Sequence, residues 1–291
     1  MKLKSKFFLT LFTTAALLLP TLTQAQTAAP APAAAAGTTN AVDSGLKSLI
    51  QQVMVKIKAG KKKEADFTDE LKGFDDLVAQ VKGAKTDEVA QIVFMKAMLY
   101  LQIFNDTDKG KAILADLKAT YPDTKAAKNV DKVLASMDKQ SAAKKIQDAL
   151  TSGATFPDFS ETDLAGKPIS VAALKSKVVM IDFWATWCAP CRGELPNVIA
   201  TYKKHHADGF EIIGVSLDSD RDKLDTFLKQ QDGMTWAQFF DGQGWGNKLA
   251  VKYGVEAIPF TILVGPDGKI IDTNLRGEEL EKAVADALAK K

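Results

Sequence analysis

The stretch Val178-Val-Met-Ile-Asp-Phe-Trp-Ala-Thr-Trp-Cys-Ala-Pro-Cys191 contains both cysteines of this 291-residue chain. Its first half, which is rich in β-branched and aromatic residues, predicts a buried strand. After Cys191 the apolar residues recur about one helical turn apart, at Leu195, Val198, Ile199 and Tyr202. Two cysteines that are separated by two residues at a strand-to-helix transition predict a reversible disulfide centre.

The predicted helix suggests different roles for the two thiols. Cys188 is expected near the helix N-terminus, where free N–H groups and the helix dipole favour a thiolate. Pro190 fits the first helical turn, which needs no N–H from it. Cys191, one turn further in, is expected to be more buried and to resolve a mixed disulfide formed at Cys188.

The cysteine pair has two other possible interpretations. A purely structural disulfide is disfavoured because a two-residue loop is strained and easily reduced. A zinc site needs about four ligands, and the chain has only two cysteines and two histidines. His205 and His206 adjoin at the polar end of the predicted helix and are expected to face solvent. The sequence therefore predicts no metal and no other cofactor.

From Thr155 to the C-terminus the sequence resembles the thioredoxin superfamily, specifically the TlpA/ResA branch of extracytoplasmic thiol–disulfide oxidoreductases. The resemblance rests on an ordered set of motifs: Phe156-Pro-Asp-Phe159, Asp163-Leu-Ala-Gly166, Asp182-Phe-Trp-Ala185 before Trp187-Cys-Ala-Pro-Cys191, Pro196, Tyr253-Gly-Val-Glu-Ala-Ile-Pro259 and Gly265-Pro-Asp-Gly268. It implies an α/β thioredoxin-like fold, with a mixed central sheet flanked by helices. The strands are expected at Val178–Phe183, Glu211–Val215, Phe260–Val264 and Lys269–Thr273.

The resemblance also implies the roles of individual residues. Asp182 matches the buried acid behind the disulfide, and burial in an apolar strand would raise its pKa toward that of a useful base. Glu194 matches an acid of the ResA-like branch, although an ordinary first-turn glutamate would also fit there. Pro259 matches the cis-proline that lies against the disulfide. The expected substrate contacts are Trp187, Ala189, Pro190 and Ile258.

The N-terminus has the features of an export signal. Lys2, Lys4 and Lys6 precede an apolar stretch from Phe7 to Leu19, which is shorter than the ~20 residues of a spanning helix. We expect a signal peptide over residues 1–25, cleaved near Ala25, and a periplasmic protein without a stable membrane span. Residues 26–42, rich in alanine, proline and threonine, are expected to be a disordered linker.

Residues 43–150 are predicted to form an all-α domain before the thioredoxin-like domain of residues 151–291. Apolar stripes at helical spacing include Leu46, Leu49, Ile50, Val53 and Ile57. Thr86 and Asp108 are predicted N-caps, and Tyr121-Pro122 is predicted to separate two helices. The segment from Ala97 to Met137 resembles a tetratricopeptide unit, without a clear second copy. The domain could bind a partner protein, mediate dimerisation or act as a spacer.

The function expected from these features is thiol–disulfide exchange with protein substrates, with electrons supplied by an upstream electron donor. Reduction is the preferred direction because Ile258 before Pro259 resembles reducing thioredoxins. The alternatives are a disulfide oxidase or isomerase, a thiol peroxidase, and a helical partner-binding protein with an accessory redox domain. A formal net charge of only +2 gives no support to nucleic-acid binding. Asp218-Ser-Asp220-Arg-Asp222 lacks the glycine and the glutamate of a calcium loop and is expected to begin a helix.

Overall fold

A computed structural model describes residues 33–81, 83–174 and 177–290. The expected signal peptide and residues 26–32 of the expected linker lie outside these residues. The remaining linker residues, 33–42, were predicted to be disordered, but they form the first turns of helix α1, Ala33–Lys58. Alanine has the highest intrinsic helix propensity, so an alanine-rich stretch that leads into an amphipathic helix can extend it. In the described residues no helix combines the length and the hydropathy of a membrane span.

The chain divides into two compact units between Ala135 and Ser136. This point lies inside helix α5, Lys125–Ala149, whereas the sequence predicts a domain boundary at residue 150. The helical domain of residues 43–150 therefore stays a prediction, and the two units are described separately below.

The first unit contains α1 and three further helices, α2 (Thr68–Gln80), α3 (Asp87–Leu99) and α4 (Thr107–Thr120). Thr86 is the predicted N-cap of α3, and its hydroxyl accepts a hydrogen bond from the N–H of Val89. The predicted N-cap Asp108 is wrong. Asp106 takes that place, since its carboxylate accepts from the N–H of Lys109.

Most of the apolar stripe predicted for α1 is buried in the core of this unit. That core also contains apolar residues from α2, α3 and the segments beside them: Val42, Leu46, Leu49, Val53, Phe67, Leu71, Phe74, Leu77, Ile92, Met95, Leu99 and Tyr100. The helical character and its apolar faces were therefore readable from periodicity. Whether the unit contains a tetratricopeptide repeat stays a prediction.

The second unit is built on a five-stranded mixed sheet. Its strands are β3 (Val178–Trp184), β4 (Phe210–Ser216), β5 (Ala237–Phe239), β6 (Phe260–Val264) and β7 (Ile270–Thr273). They lie side by side in the order β5-β4-β3-β6-β7. The short edge strand β5 was missed by the sequence analysis. Strands β3, β4 and β5 are parallel, while β6 is antiparallel to both β3 and β7. A separate hairpin precedes the sheet, with β1 at Glu161–Thr162 and β2 at Pro168–Ile169.

Four helices accompany this sheet: α6 (Ala189–His205), α7 (Arg221–Gln230), α8 (Lys248–Lys252) and α9 (Gly277–Ala289). Every residue of the central strand β3 is buried. Helices α6 and α9 pack against each other, and α9 also contacts β3. This is the mixed sheet flanked by helices that the sequence predicts. The expectation that both histidines face solvent is wrong for His205, which is buried near the end of α6.

Aromatic packing fixes the segment that leads from α8 to β6. Tyr253 is fully buried among Phe156, Phe159 and Phe183, with ring centroids 5.2 to 6.4 Å apart. Its hydroxyl donates a 2.7 Å hydrogen bond to the carbonyl of Pro157. Edge-to-face and stacked ring pairs of this kind stabilise a core beyond simple area burial. The loop that carries Pro259 is therefore anchored at its start by a rigid cluster.

Candidate active site

Cys188 is the N-cap residue of α6, four residues after β3 ends at Trp184. The backbone N–H of Cys191 donates a 3.2 Å hydrogen bond to the Sγ of Cys188. Pro190 lies in the first helical turn, where the absence of its N–H costs no intrahelical bond. The Sγ of Cys188 therefore lies at the N-terminal, positive end of the α6 dipole, which stabilises a thiolate.

The two cysteines form a disulfide with an S–S distance of 2.04 Å and a Cα–Cα distance of 5.2 Å. Cys188 is 4% exposed and Cys191 is 6% exposed, so the expectation that Cys191 is the more buried residue is wrong. Residue burial therefore does not distinguish the two. The two cysteines differ instead in their surroundings, because Cys191 lines an internal cavity and Cys188 follows the exposed Trp187.

That cavity has a volume of about 10 Å³ and is lined by Asp182, Cys191, Glu194, Pro259 and Arg276, among others. A space of this size accommodates about one water molecule. The cavity therefore brings Cys191 together with two carboxyl groups, one guanidinium group and the proline loop. Four different segments of the chain supply these residues, from β3, α6, the start of β6 and the start of α9.

Asp182 is the buried acid of this group, with 6% exposure. It pairs in register with Gly214 on β4 and Thr261 on β6, at the centre of the sheet. Burial raises the pKa of Asp182 to about 7, while the positive charge of Arg276 lowers it and the negative charge of Glu194 raises it. A carboxyl with this pKa can both take and return a proton near neutral pH.

Glu194 is half-buried in the second turn of α6 and points across to α9. Its Oε1 accepts a short hydrogen bond from the backbone N–H of Gly277, the first residue of α9. Such an acid at a helix N-terminus satisfies a free N–H and complements the dipole. The helix that it stabilises is thus α9 rather than its own helix α6.

The Ile258–Pro259 peptide bond is cis, in agreement with what the resemblance implies. Pro259 directly precedes β6, whose Phe260 pairs with Phe183 on β3. The carbonyl of Pro259 accepts a hydrogen bond from Nη2 of Arg276. The proline loop is therefore held both by the sheet and by a side chain at the start of α9.

Around the disulfide, Trp187, Ala189 and Pro190 are exposed and Ile258 is half-buried. The ring of Trp187, which is 53% exposed, lies 6.0 Å from the ring of Trp245, which is 43% exposed. Large exposed aromatic side chains are unusual on a protein surface and are enriched in binding sites. No pattern in the sequence relates Trp245 to Trp187, so this contact is visible only in the structure.

Asp218 is a second residue whose place the sequence analysis missed. It is buried, and its carboxylate accepts hydrogen bonds from the N–H and the hydroxyl of Thr186 and from the hydroxyl of Ser216. These bonds hold the loop between β3 and Cys188. The expectation that the surrounding acids begin a helix is confirmed by Asp220, the N-cap of α7. A buried acid at the end of a strand was the signal that could have identified Asp218.

Arg276 is the third site residue that was not predicted, since nothing in its local sequence indicates a role. It directly precedes α9 and reaches both Pro259 and the cavity behind the disulfide. As for metals, the structurally described part of the chain contains no cluster of three or more histidine, cysteine or acidic side chains that could hold an ion.

Comparisons with known proteins agree with this geometry. Residues 151–289 match the Redoxin family. The chain is 34% identical over 138 residues to a thiol-disulfide oxidoreductase ResA from Bacillus thuringiensis, covering 47% of this chain and 77% of the relative. It is 30% identical over 125 residues to the ResA of Bacillus subtilis, covering 43% of this chain and 68% of the relative.

A solved structure with 32% identity is the thioredoxin domain of a thiol-disulfide oxidoreductase from Bacteroides vulgatus, which covers 47% of this chain and 97% of that domain with a TM-score of 0.43. The relatives named thiol-disulfide oxidoreductase match over about half of this chain, and the half that matches contains the Cys188–Cys191 disulfide. The chain therefore belongs to the ResA-like thiol–disulfide oxidoreductases of the thioredoxin superfamily.

Proposed function

We propose that this thiol–disulfide oxidoreductase acts as a reductase, in which Cys188 attacks substrate disulfides and Cys191 resolves them. The observation that supports the division of labour is the cavity beside Cys191, which Asp182 also lines. Cys191 has an internal proton acceptor within its own cavity. Cys188 lies instead at the helix N-terminus, where its thiolate needs no acceptor to be stabilised.

The reaction proceeds in two exchange steps. The Cys188 thiolate attacks one sulfur of the substrate disulfide and forms a mixed disulfide with it, while the other substrate sulfur leaves as a thiolate. Asp182 then takes the proton of Cys191, and the new thiolate attacks the Sγ of Cys188. The second substrate thiolate leaves, two electrons have passed to the substrate, and the protein disulfide is restored. An upstream electron donor must then reduce the Cys188–Cys191 disulfide again.

Substrate recognition is proposed to use both the cis-proline loop and the aromatic surface. The backbone of Ile258 would pair with an extended substrate segment by strand addition. Trp187, Ala189 and Pro190 would contact the residues around the substrate cysteine. Their exposure supports this role, and Trp245 enlarges the surface through its contact with Trp187.

We place the protein in the periplasm, on the support of the basic and apolar N-terminal sequence that ends near Ala25. In an oxidising compartment a pair of cysteines rests as a disulfide unless electrons are supplied. A reductase function there depends on the proposed donor.

A partner protein on the helical unit is the second proposal. A groove of about 370 Å³ between α2, α3 and α4 supports it, with apolar walls that include Phe74, Ile92 and Ile113 and with Asp75, Lys96 and Asp116 at its edges. Dimerisation and a spacer role remain the alternatives for this unit.

The experiment that tests the reductase proposal combines two cysteine variants with a redox titration. Cys188→Ser is expected to abolish exchange, whereas Cys191→Ser is expected to accumulate mixed disulfides at Cys188, both scored by mass spectrometry. Turnover retained by Cys188→Ser would refute the assigned roles. A reduction potential at or below about −250 mV supports a reductase, and a value near about −120 to −180 mV would instead make the protein an oxidase or isomerase.

A further inference from the structure

Arg276 contacts both the loop of Pro259 and the cavity beside Cys191. Its Nη2 donates to the carbonyl of Pro259, and its side chain lines the cavity shared with Asp182 and Cys191. Its Nε is buried and has no hydrogen-bond partner within the described residues. A buried guanidinium donor without a partner is costly, and a cavity wide enough for one water molecule lies beside it.

Among the described residues, the charged and titratable groups that line the cavity beside Asp182 come from two elements. Helix α6 contributes Glu194 and, in the reduced protein, the Cys191 thiol. The start of α9 contributes Arg276. Strand β6 contributes only the uncharged Thr261 at the paired position. Among the described residues that line this cavity, Arg276 is thus the single cation.

We propose that Arg276 is a positioning residue for thiol–disulfide exchange, which holds the carbonyl of the cis-proline loop and presents a positive charge to Asp182 across the cavity. This inference rests on the proposed role of Asp182 as the proton acceptor of Cys191. Arg276 thereby links the loop that receives the substrate to the group that moves the proton, through one rigid planar side chain with several donors.

The electrostatic consequence has a definite sign. An opposite charge favours the ionised form of a carboxyl, and Arg276 does lower the pKa of Asp182 against the larger effect of burial. Without Arg276 the pKa of Asp182 rises, and the fraction of carboxylate at neutral pH falls. The resolving step, which needs the carboxylate, then shifts to higher pH.

The test mixes the reduced full chain with oxidised glutathione as the disulfide probe and measures the rate at which the mixed disulfide at Cys188 is resolved, between pH 5.5 and pH 9. For Arg276→Gln we expect the midpoint of the pH–rate profile to rise by about one pH unit. That shift corresponds to a loss of up to ~10-fold in rate below the midpoint. Arg276→Lys keeps the charge and is expected to restore most of the midpoint. Lys282→Gln removes an equal charge from an exposed position on α9 and is expected to leave the profile unchanged.

Asp182→Asn separates this inference from the proposed function. If Asp182→Asn abolishes the titration and Arg276→Gln does not move the midpoint, the role of Arg276 is refuted while that of Asp182 stands. If Asp182→Asn leaves the profile of the wild type, both are refuted. Should Arg276→Gln not fold, Arg276→Met keeps the apolar stem and is expected to show the same shift, so an unmoved midpoint in that variant overturns the proposal.

Discussion

Replacing Asp182 by asparagine should stabilise the oxidised protein at neutral and alkaline pH, although it removes a group of the active site. In the folded state the pKa of Asp182 is raised by burial from 3.8 to about 7. Between these two values the carboxyl is protonated in the folded chain and ionised in the unfolded chain. The folded state therefore binds more protons, and the free energy of unfolding falls as the pH rises through this range.

The size of the effect follows from the same two values. A difference of about three pH units, at about 1.36 kcal/mol for each, amounts to ~4 kcal/mol. An asparagine side chain stays neutral throughout and loses nothing over this range. The stability gap between Asp182→Asn and the wild type should therefore be small at pH 4 and grow to ~4 kcal/mol at pH 8.

Tryptophan fluorescence during urea unfolding provides the assay. All four tryptophans, at positions 184, 187, 236 and 245, belong to the second unit, so their signal follows the unit that contains Asp182. This choice matters because a single free energy of unfolding is poorly defined for a chain with two units. Asp232→Asn, at an exposed position of the same unit, is the matched control. A stability gap of equal size at pH 4.5 and pH 8 would refute a raised pKa at Asp182.

Two further predictions concern stability. In the wild type the carboxylate of Glu70, whose side chain is 4% exposed, lies 2.6 Å from the Nζ of Lys56. Lys56→Met leaves this buried charge without its partner, and we expect the free energy of unfolding of the helical unit to fall by about 3 kcal/mol. Circular dichroism during urea unfolding measures this loss. Lys47→Met, at an exposed pair on the same helix, should change little, and equal effects of the two variants would contradict this account. Gly254→Ala would place a Cβ atom 2.4 Å from a backbone oxygen of α5 at a φ of +64°. The matched control is Gly268→Ala, because Gly268 has a similar φ and no neighbour within 4 Å of an added Cβ atom. We expect Gly268→Ala to lower the free energy of unfolding by about 1–2 kcal/mol and Gly254→Ala to lower it by at least about twice as much, as measured by urea unfolding.

The features of the site that could be predicted from the sequence are those set by residues close together in the chain. The spacing of Cys188 and Cys191 predicts a disulfide at a helix start, since two residues and one helical turn are sufficient to define that geometry. The burial of Asp182 followed from its position in an apolar strand. These inferences needed no knowledge of how distant segments pack.

The remaining parts depend on contacts between distant segments. Glu194 and Gly277 are hydrogen-bonded although they are 83 residues apart, so no local pattern around Glu194 indicates this contact. His205 was expected to face solvent because the residues around it are polar. It is buried, and it lies on a helix that packs against β4 and α9. Strand β5 was missed because three residues carry too little periodicity to be recognised.

The redox pair and the buried acid could be predicted from the sequence, because residue type and spacings of a few residues are converted directly into position by strand and helix geometry. The thioredoxin-like fold was implied by the resemblance of an ordered set of motifs. Only the tertiary structure decided that Arg276 faces Asp182 and holds Pro259, that Asp218 fastens the loop before Cys188, and that Trp245 lies beside Trp187. The physical reason is that strand pairing and helix packing bring together side chains from segments far apart in sequence. The sign of a charge sets the direction in which it shifts a neighbour's pKa, but the size of that shift depends on distance and burial, neither of which is encoded in the local pattern.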